Sequence, residues 1–372
     1  MSCLIYFSKN SWWDERKARK TLLPLAFSRL EACSAVLVNA ATAVWQQVKH
    51  PPVWRHPDSD MVVLSPLRWL PSQRFGFIRG INQWFRWRMV RPFIQTNDDC
   101  VVVLSDPEDV FIARFARKAG LECWFDWTEE WDAYARAAGN ESTIKVDVSE
   151  IFDCVDGLIV VSRLLEKRAK AMGLDVLHIP NAVSEAFIDA LKEAHRKEAP
   201  KILDGIPRPI AVHIGSCDPA WIDWKCLIQA ATRNPGISFC MIGGGGEDYA
   251  PSRLPENVHM LGRLPYERLP AILAHVDLCL LLYRPDQTAG GDPTKLYEYL
   301  ASGRPVVSTP HPRSLEFSEW ISIADSPEAF AEAVRKGLED RDADNPDRRR
   351  EIAHRQSWTC RARMLRQGLF DR

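Results

Sequence analysis

GGDPTKLYEYLASGRPVVST, residues 290–309, passes from small residues and Pro293 into a short helix predicted over residues 294–301. Gly303 just past that helix and Pro305 two residues later are the expected stop signal, and Val306 and Val307 open a strand. Asp292 and Thr294 are candidate N-caps, aiming backbone N–H groups and the positive end of the helix dipole outward. A helix start of this kind seats a phosphate. Lys295, in the first turn, adds a cation toward the same anion. Glu298 follows about one turn later on nearly the same face, and a carboxylate accepts both hydrogens of a sugar diol. Phosphate seat, cation and diol acceptor describe a nucleotide-sugar pocket. The same residues also read as an ordinary capped helix ahead of a strand, and their chemistry alone leaves both readings open.

The run P-T-K-L-Y-E-Y-L-A-S-G-R-P-V-V, from Pro293 to Val307, resembles the donor-binding signature of GT-B glycosyltransferases, in particular the family 4-like enzymes. That resemblance implies an α/β chain of GT-B fold, with two Rossmann-like domains facing each other across a cleft. It implies a metal-independent glycosyltransferase, with a UDP- or GDP-linked sugar as donor substrate and no further cofactor. The glutamate matching Glu298 holds the donor ribose in that family.

At 372 residues the length predicts two domains. Apolar content of 46% and charged content of 26% are those of a soluble globular chain, and a net charge of −1 gives no global pull toward nucleic acid. Ten cysteines are scattered without a C-x-x-C pair, a usage that fits a reducing cytoplasm better than a disulfide framework. The nine histidines show no metal-ligand spacing, no apolar run is long enough to span a bilayer, and the N-terminus lacks a signal pattern.

Along the chain, strands predicted over residues 3–7 and 35–38 flank a helix over 17–30. This order opens a Rossmann-like half. The loop 8–16 between them carries Asp14 and Arg16, two site candidates that read equally as solvated loop charges. Residues 68–91 hold six arginines and no acid, interleaved with Trp69, Phe75, Phe77, Trp84, Phe85 and Trp87. Arginine with tryptophan is the composition of a surface lying on an anionic bilayer. An aromatic-packed helix and a single-strand nucleic-acid surface are the other readings of that stretch. An acceptor carried on a lipid matches the first.

A buried strand over 100–104, a helix over 109–119 and a strand over 122–125 follow, and FDWTEEW places Asp126, Glu129 and Glu130 at a strand end. Clustered carboxylates raise one another's pKa and supply a general base. They also read as an acidic helix start. The segment resembles Y-D-x-x-D-D-W of some polysaccharide-assembly glycosyltransferases, which makes Asp126 and Glu129 the catalytic candidates, with Glu130 and Trp131 beside them. The run D-G-L-I-V-V-S-R to H-I-P-N-A-V, from Asp156 to Val183, resembles the close of a GT-B N-terminal domain, which bounds an acceptor domain at 1–185, with a bridging stretch over 185–201.

The donor domain is expected over 186–350. A strand over 209–214 runs into Gly215 and Ser216, where the family holds the donor diphosphate; Ile222, Asp223 and Lys225 stand near its missing cation positions. His213 reads as a buried histidine or a ligand contact. A strand over 237–242 enters the glycine loop 243–246, with Gly244 expected under the nucleotide. Arg263, after the next strand, matches the place where the family's backbone reads the nucleobase. A last helix over 351–370 is expected to pack back on the N-terminal domain. Two D-x-D matches, Asp58 with Asp60 and Asp340 with Asp342, do not follow buried strands and are read as chance. Retaining relatives usually carry an acid eight positions before the ribose glutamate; that place is Gly290 here. Alternatives to a transferase acting on a lipid-linked or cell-surface glycan are a nucleotide-sugar epimerase, an inactive nucleotide-sugar binder, and a basic–aromatic nucleic-acid binder.

Overall fold

The computed structural model describes residues 1–14, 18–43, 50–68, 76–95, 99–129, 148–244, 251, 253–339 and 345–371. The candidates Arg16, Glu130, Trp131, Gly245, Gly246, Asp340 and Asp342, with Trp69 and Phe75, lie outside them. The chain divides into two compact units. Unit 1 comprises Met1–Thr128, Val146–Asn181 and Trp358–Arg372, and unit 2 comprises Glu129–Lys145 and Ala182–Ser357.

Unit 1 runs β1 (Ser2–Phe7), α1 (Arg19–Phe27), β2 (Cys33–Val38), β3 (Thr42–Ala43), β4 (Val53–Arg55), β5 (Met61–Leu64), β6 (Leu67–Arg68) and α2 (Gly76–Gln95). It continues with β7 (Asp99–Leu104), α3 (Val110–Lys118), β8 (Glu122–Trp127), α4 (Ser149–Phe152), β9 (Gly157–Val160), α5 (Arg163–Ala171) and β10 (Asp175–His178). Its main sheet has the order β10-β9-β8-β7-β1-β2-β5-β4, and only β4 runs antiparallel to its neighbour. Strands covered on both faces read as continuous apolar runs, as Cys3–Phe7 does. The order reverses between β1 and β7, the switch point where such sheets bind ligands. Phe7 is in register with both Val38 and Leu104. The loops after β1, β2 and β7 therefore leave the sheet at one level.

Unit 2 runs α6 (Glu185–Ala194), β11 (Ile210–Ile214), α7 (Trp224–Arg233), β12 (Ser238–Ile242), β13 (Val258–Gly262), α8 (Leu269–His275), β14 (Leu278–Leu281) and α9 (Pro285–Thr288). It continues with α10 (Thr294–Ser302), β15 (Val306–Ser308), α11 (Pro312–Leu315), β16 (Ser322–Ile323), α12 (Pro327–Glu339) and α13 (Pro346–Arg355). The six strands are parallel in the order β13-β12-β11-β14-β15-β16. Counted along the unit this is 3-2-1-4-5-6, the Rossmann order, with its switch point between β11 and β14. Successive residues of β11 feed opposite cores. Val212 packs in the layer holding Leu296, Tyr299 and Leu300, and Ala211 in the layer holding Trp224, Phe239 and Phe330.

Three local expectations change. The stretch after residue 185 opens as α6, capped by Ser184 Oγ on the Phe187 N–H at 3.1 Å, with Phe187, Ile188 and Leu191 buried. The helix expected over 351–370 is two helices, α13 and α14 (Trp358–Leu369). Gln356 O accepts from Val183 N at 3.1 Å, and Ser357 forms a parallel bridge with Val183. Extended pairing at this point takes backbone groups that a continuous helix needs. α14 packs on α1 within unit 1, with Phe27 and Phe370 at 5.5 Å. In α2, Arg86 and Trp87 are buried, while Phe77, Trp84, Arg88 and Arg91 are exposed.

Candidate functional site

α10 begins at N-cap Pro293 with no side-chain cap hydrogen bond. Asp292 does not cap it. Its carboxylate instead accepts from Tyr297 Oη at 2.9 and 2.8 Å, and Arg313 Nε lies 3.6 Å away and donates to Tyr297 Oη at 2.8 Å. Asp292 thereby ties the entering loop to α10 and α11. Thr294 is the first helical residue and is half-buried. At the other end Gly303 adopts φ 74°, the left-handed cap that glycine takes without strain. Arg349 Nη2 donates to its carbonyl at 2.8 Å, a cation where the helix dipole is negative.

Lys295 reaches across the switch point of unit 2. Its Nζ lies 3.5 Å from His213 Nε2 on β11 and 4.8 Å from the ring centre of Tyr283, which follows β14. Gly215 has φ 136°, and a Cβ there would come within 2.2 Å of Lys295 Nζ. A Cβ on Gly243 would come within 1.5 Å of Gly215 O. The β11 and β12 loops thus touch backbone to backbone, fastened by Gly215 N to Ile242 O at 2.8 Å and Cys217 N to Gly244 O at 3.2 Å. Ser216 and Gly244 are exposed on these loops, and Ser216 Oγ accepts from Asp218 N. His213 is 1% exposed. Burial first, and then the Lys295 charge, holds its pKa well below the usual imidazole value, so the ring is neutral. Its Nδ1 lies 3.1 Å from Leu280 O, and its Nε2 lies 3.3 Å from Ser216 O beside the ammonium.

Glu298 is 4% exposed, and its Oε1 accepts from Tyr266 Oη at 2.8 Å. Tyr266 is itself steadied by Phe187 of α6, ring centres 5.3 Å apart. Neither Tyr266 nor Tyr283 is marked by any sequence signal; each is an unremarkable residue at an element end. Arg263 is exposed just beyond β13, after Gly262 at φ 69°. Lys225 lies on the exposed side of α7, and Asp223 caps that helix through the Cys226 N–H.

In unit 1 the acidic candidates separate. Asp126 is 1% exposed near the end of β8 rather than on a loop. Arg19 Nε contacts its two oxygens at 3.0 and 2.9 Å, Arg19 Nη2 one of them at 2.8 Å, and Tyr6 Oη donates at 2.5 Å. Burial, and the Asp126 charge, push the Tyr6 phenol well above its usual range, so it keeps the proton it donates. Arg19 Nη1 continues to Ile179 O at 2.7 Å. Asp126 therefore binds β1, α1, β8 and the end of the unit's last strand together, and its lone pairs face donors of this unit. Glu129, half-buried beyond the strand end, is the residue at which the chain passes to unit 2. Asp14 Oδ2 accepts from Ser11 N in a local turn. Asp58 and Asp60 lie in the turn joining β4 and β5.

A family model described as glycosyl transferase-like matches residues 225–370. TuaH of Bacillus subtilis (strain 168), a protein assigned to teichuronic acid biosynthesis as a glycosyltransferase, is 26% identical over 328 residues, covering 80% of each chain. Among solved structures, an α,α-trehalose-phosphate synthase (UDP-forming) from Burkholderia vietnamiensis superposes with TM-score 0.71 at 13% identity, covering 100% of this chain and 99% of that one. Sucrose-phosphate synthase from Thermosynechococcus elongatus superposes with TM-score 0.70 at 14% identity, covering 99% and 98%. The structural likenesses carry the fold, and the family match and the relative carry the activity: the chain is a glycosyltransferase of the GT-B fold.

Proposed function

We propose that the chain transfers a sugar from a nucleoside-diphosphate sugar to a glycan or lipid-linked intermediate of polysaccharide assembly, with unit 2 as the donor domain. The observation that carries this is α10 at the β11/β14 switch point, presenting Lys295 and Glu298 one turn apart. The leaving diphosphate gathers charge in the transition state. In this reading the uncapped start of α10, Lys295 and the exposed Ser216 beside Gly215 hold it, which is worth most when the donors are fixed beforehand. His213, held neutral beside the ammonium, adds no positive charge of its own to the seat. Glu298, oriented by Tyr266, takes the ribose diol. Thr294, Gly244 and Arg263 complete the set assigned to the nucleotide, and Asp292 acts at one remove by fixing the loop that leads into α10. The assignment of TuaH to teichuronic acid biosynthesis supports a polysaccharide acceptor. Asp126 and its Arg19 pair serve as a structural tie, and Glu129 keeps the candidacy for acceptor chemistry. A thermal-shift screen of UDP-, GDP-, ADP-, CMP- and dTDP-sugars tests the reading. One nucleoside-diphosphate class raises Tm; no shift with any of them contradicts it.

A second reading concerns α2. Its exposed Phe77, Trp84, Arg88 and Arg91 recur at helical spacing on one side, and Arg88 lies 5.0 Å over the Trp84 ring. That stripe suits an anionic membrane surface, each cation contributing about 1 kcal/mol there. No helix among the described residues is long and apolar enough to cross a membrane. Sedimentation with phosphatidylglycerol vesicles checks it: W84A/R88E/R91E releases the protein, and undiminished sedimentation of the variant overturns the reading.

A further inference from the structure

Cys3 on β1 and Cys100 on β7 are register partners in neighbouring parallel strands. Register partners point to the same face of a sheet, and neighbouring strands stand about 4.8 Å apart. That spacing lies inside the Cα separations of about 4.4–6.8 Å that a disulfide spans. The two thiols already meet, Cys100 hydrogen-bonding to Cys3. No other two cysteines are register partners among the described residues. The sheet order reverses between β1 and β7, so the pair joins the two halves of the sheet. It lies at the strand starts, one residue in from Ser2 and Asp99, and the switch-point loops leave from the other end.

The other thiols differ in chemistry. All ten cysteines are free. Burial pushes Cys226, Cys240 and Cys279 up to about 12 and also raises Cys33, Cys123 and Cys217. A buried thiol that stays protonated is inert. Cys3 goes the other way: the Cys100 thiol beside it holds it below the usual thiol value against the push of burial. A hydrogen bond given to the charged form does this. One proton is thus shared by two sulfurs, and either can carry the charge. Access tells them apart. Cys3 is 0% exposed, whereas Cys100 is 8% exposed and follows the exposed Asp99. Cys100 is the sulfur that a small oxidant meets, and Cys3 the one that resolves the product.

We propose that Cys3 and Cys100 form a reversible dithiol–disulfide switch that answers hydrogen peroxide. The Cys100 thiolate attacks one peroxide oxygen, the O–O bond breaks, and the leaving hydroxide takes a proton and departs as water. The Cys3 sulfur then attacks Sγ of the Cys100 sulfenic acid. The S–S bond forms, the S–O bond breaks, and a second water leaves with the Cys3 proton. Two thiols and one peroxide give one disulfide and two waters, sulfur being oxidised and peroxide oxygen reduced. In an unstrained disulfide the Cβ atoms stand about 3.8 Å apart, closer than the strands, so the bond closes by pulling β1 toward β7. Strained disulfides are the readily reduced ones, which makes the step reversible. The proposal stands on unit 1 and is independent of the donor reading.

The test is peptide mapping of the folded, full-length protein after brief exposure to a small excess of hydrogen peroxide, followed by unfolding in iodoacetamide. Trypsin leaves Cys3 in residues 1–9 and Cys100 in residues 89–114, each the single cysteine of its peptide. The expected product is these two peptides linked, lighter than their sum by two hydrogens. Two of the ten thiols are lost, and excess glutathione restores both. Cys100→Ala abolishes the link and loses no thiol to a disulfide. Cys3→Ala strands Cys100 as a sulfenic acid that dimedone traps. No link in the parent, a link between two other cysteines in its place, a link formed only in urea-unfolded protein, or one that glutathione leaves intact overturns the proposal. Should either variant fail to fold, the peptide map and thiol count of the parent decide by themselves.

Discussion

Two buried aspartates of unit 1 show what single residues reveal and hide. Asp126 is visible in the sequence as an acid at a strand end. Its partners are not, since Arg19 and Tyr6 stand 107 and 120 residues away, beyond the reach of any local pattern. Asp109 is the reverse: it reads as a helix start, and only the fold shows it buried against Arg86. Asp126→Asn leaves the Arg19 charge buried without its carboxylate. We expect it to cost about 3–5 kcal/mol, measured by urea denaturation; a loss under 1 kcal/mol contradicts the structural role. His311 sets a pH dependence. Its Nδ1 accepts from Arg313 N and its Nε2 lies 2.9 Å from Thr288 O, an arrangement that fixes the neutral ring, and burial brings its pKa down to about 4. The unfolded chain takes up a proton near 6.5. Stability from this residue is therefore full above pH 6.5 and lost as pH falls from there through about 4. The Tm advantage of the parent over His311→Gln should shrink across that window, and a pH-independent gap contradicts the assignment.

At the scale of elements, helix and strand existence in both units follows from apolar runs and glycine or proline stops, and β1, β7, β11 and α10 stand where the pattern puts them. The N-cap of α10 was not legible. The capping rule is local, and Tyr297 and Arg313 compete for Asp292 through contacts that form only when α11 packs beside α10. The last helix divides at Gln356 because Val183, far away in the chain, pairs there. No glycine or proline stands at the break to mark it. The close approach of the β11 and β12 loops makes Gly243 the most constrained glycine of the donor region among the described residues. Gly243→Ala must drive the loops apart, and we expect a lower Tm and at least about tenfold weaker nucleotide binding, the weight of one or two lost hydrogen bonds to a charged ligand; unchanged values of both contradict the loop geometry. Gly303→Ala forces a side chain into the left-handed region and toward Arg350 Nε at 2.8 Å. It should cost roughly 1–2 kcal/mol without changing nucleotide affinity in the folded protein, by the same two measurements.

For the whole molecule, the alternation of strands and helices made two Rossmann-like halves legible. The strand orders were not, and come only with the fold. What the sequence could not carry is which residues meet at each switch point, because those meetings join loops from strands distant in the chain: Lys295 with His213 and Tyr283, Glu298 with Tyr266, Arg86 with Asp109. Each unit thus has a distinct chemical character at its switch point, a cation and a diol acceptor in unit 2 and a buried ion pair in unit 1. A donor that binds the folded protein alone raises its stability by mass action, about 2.7 kcal/mol at a hundredfold excess over Kd, so occupancy is readable from Tm as well as heat.

The claim on which the rest depends is that Glu298, on α10, holds the ribose of a nucleoside diphosphate. Isothermal titration calorimetry of UDP and GDP against the parent protein and Glu298→Ala tests it, with circular dichroism and Tm as the check on folding. The account predicts that one nucleotide binds the parent and binds the folded variant at least about tenfold more weakly, the loss of a charge-assisted hydrogen-bond pair. Equal affinity for parent and folded variant would contradict it.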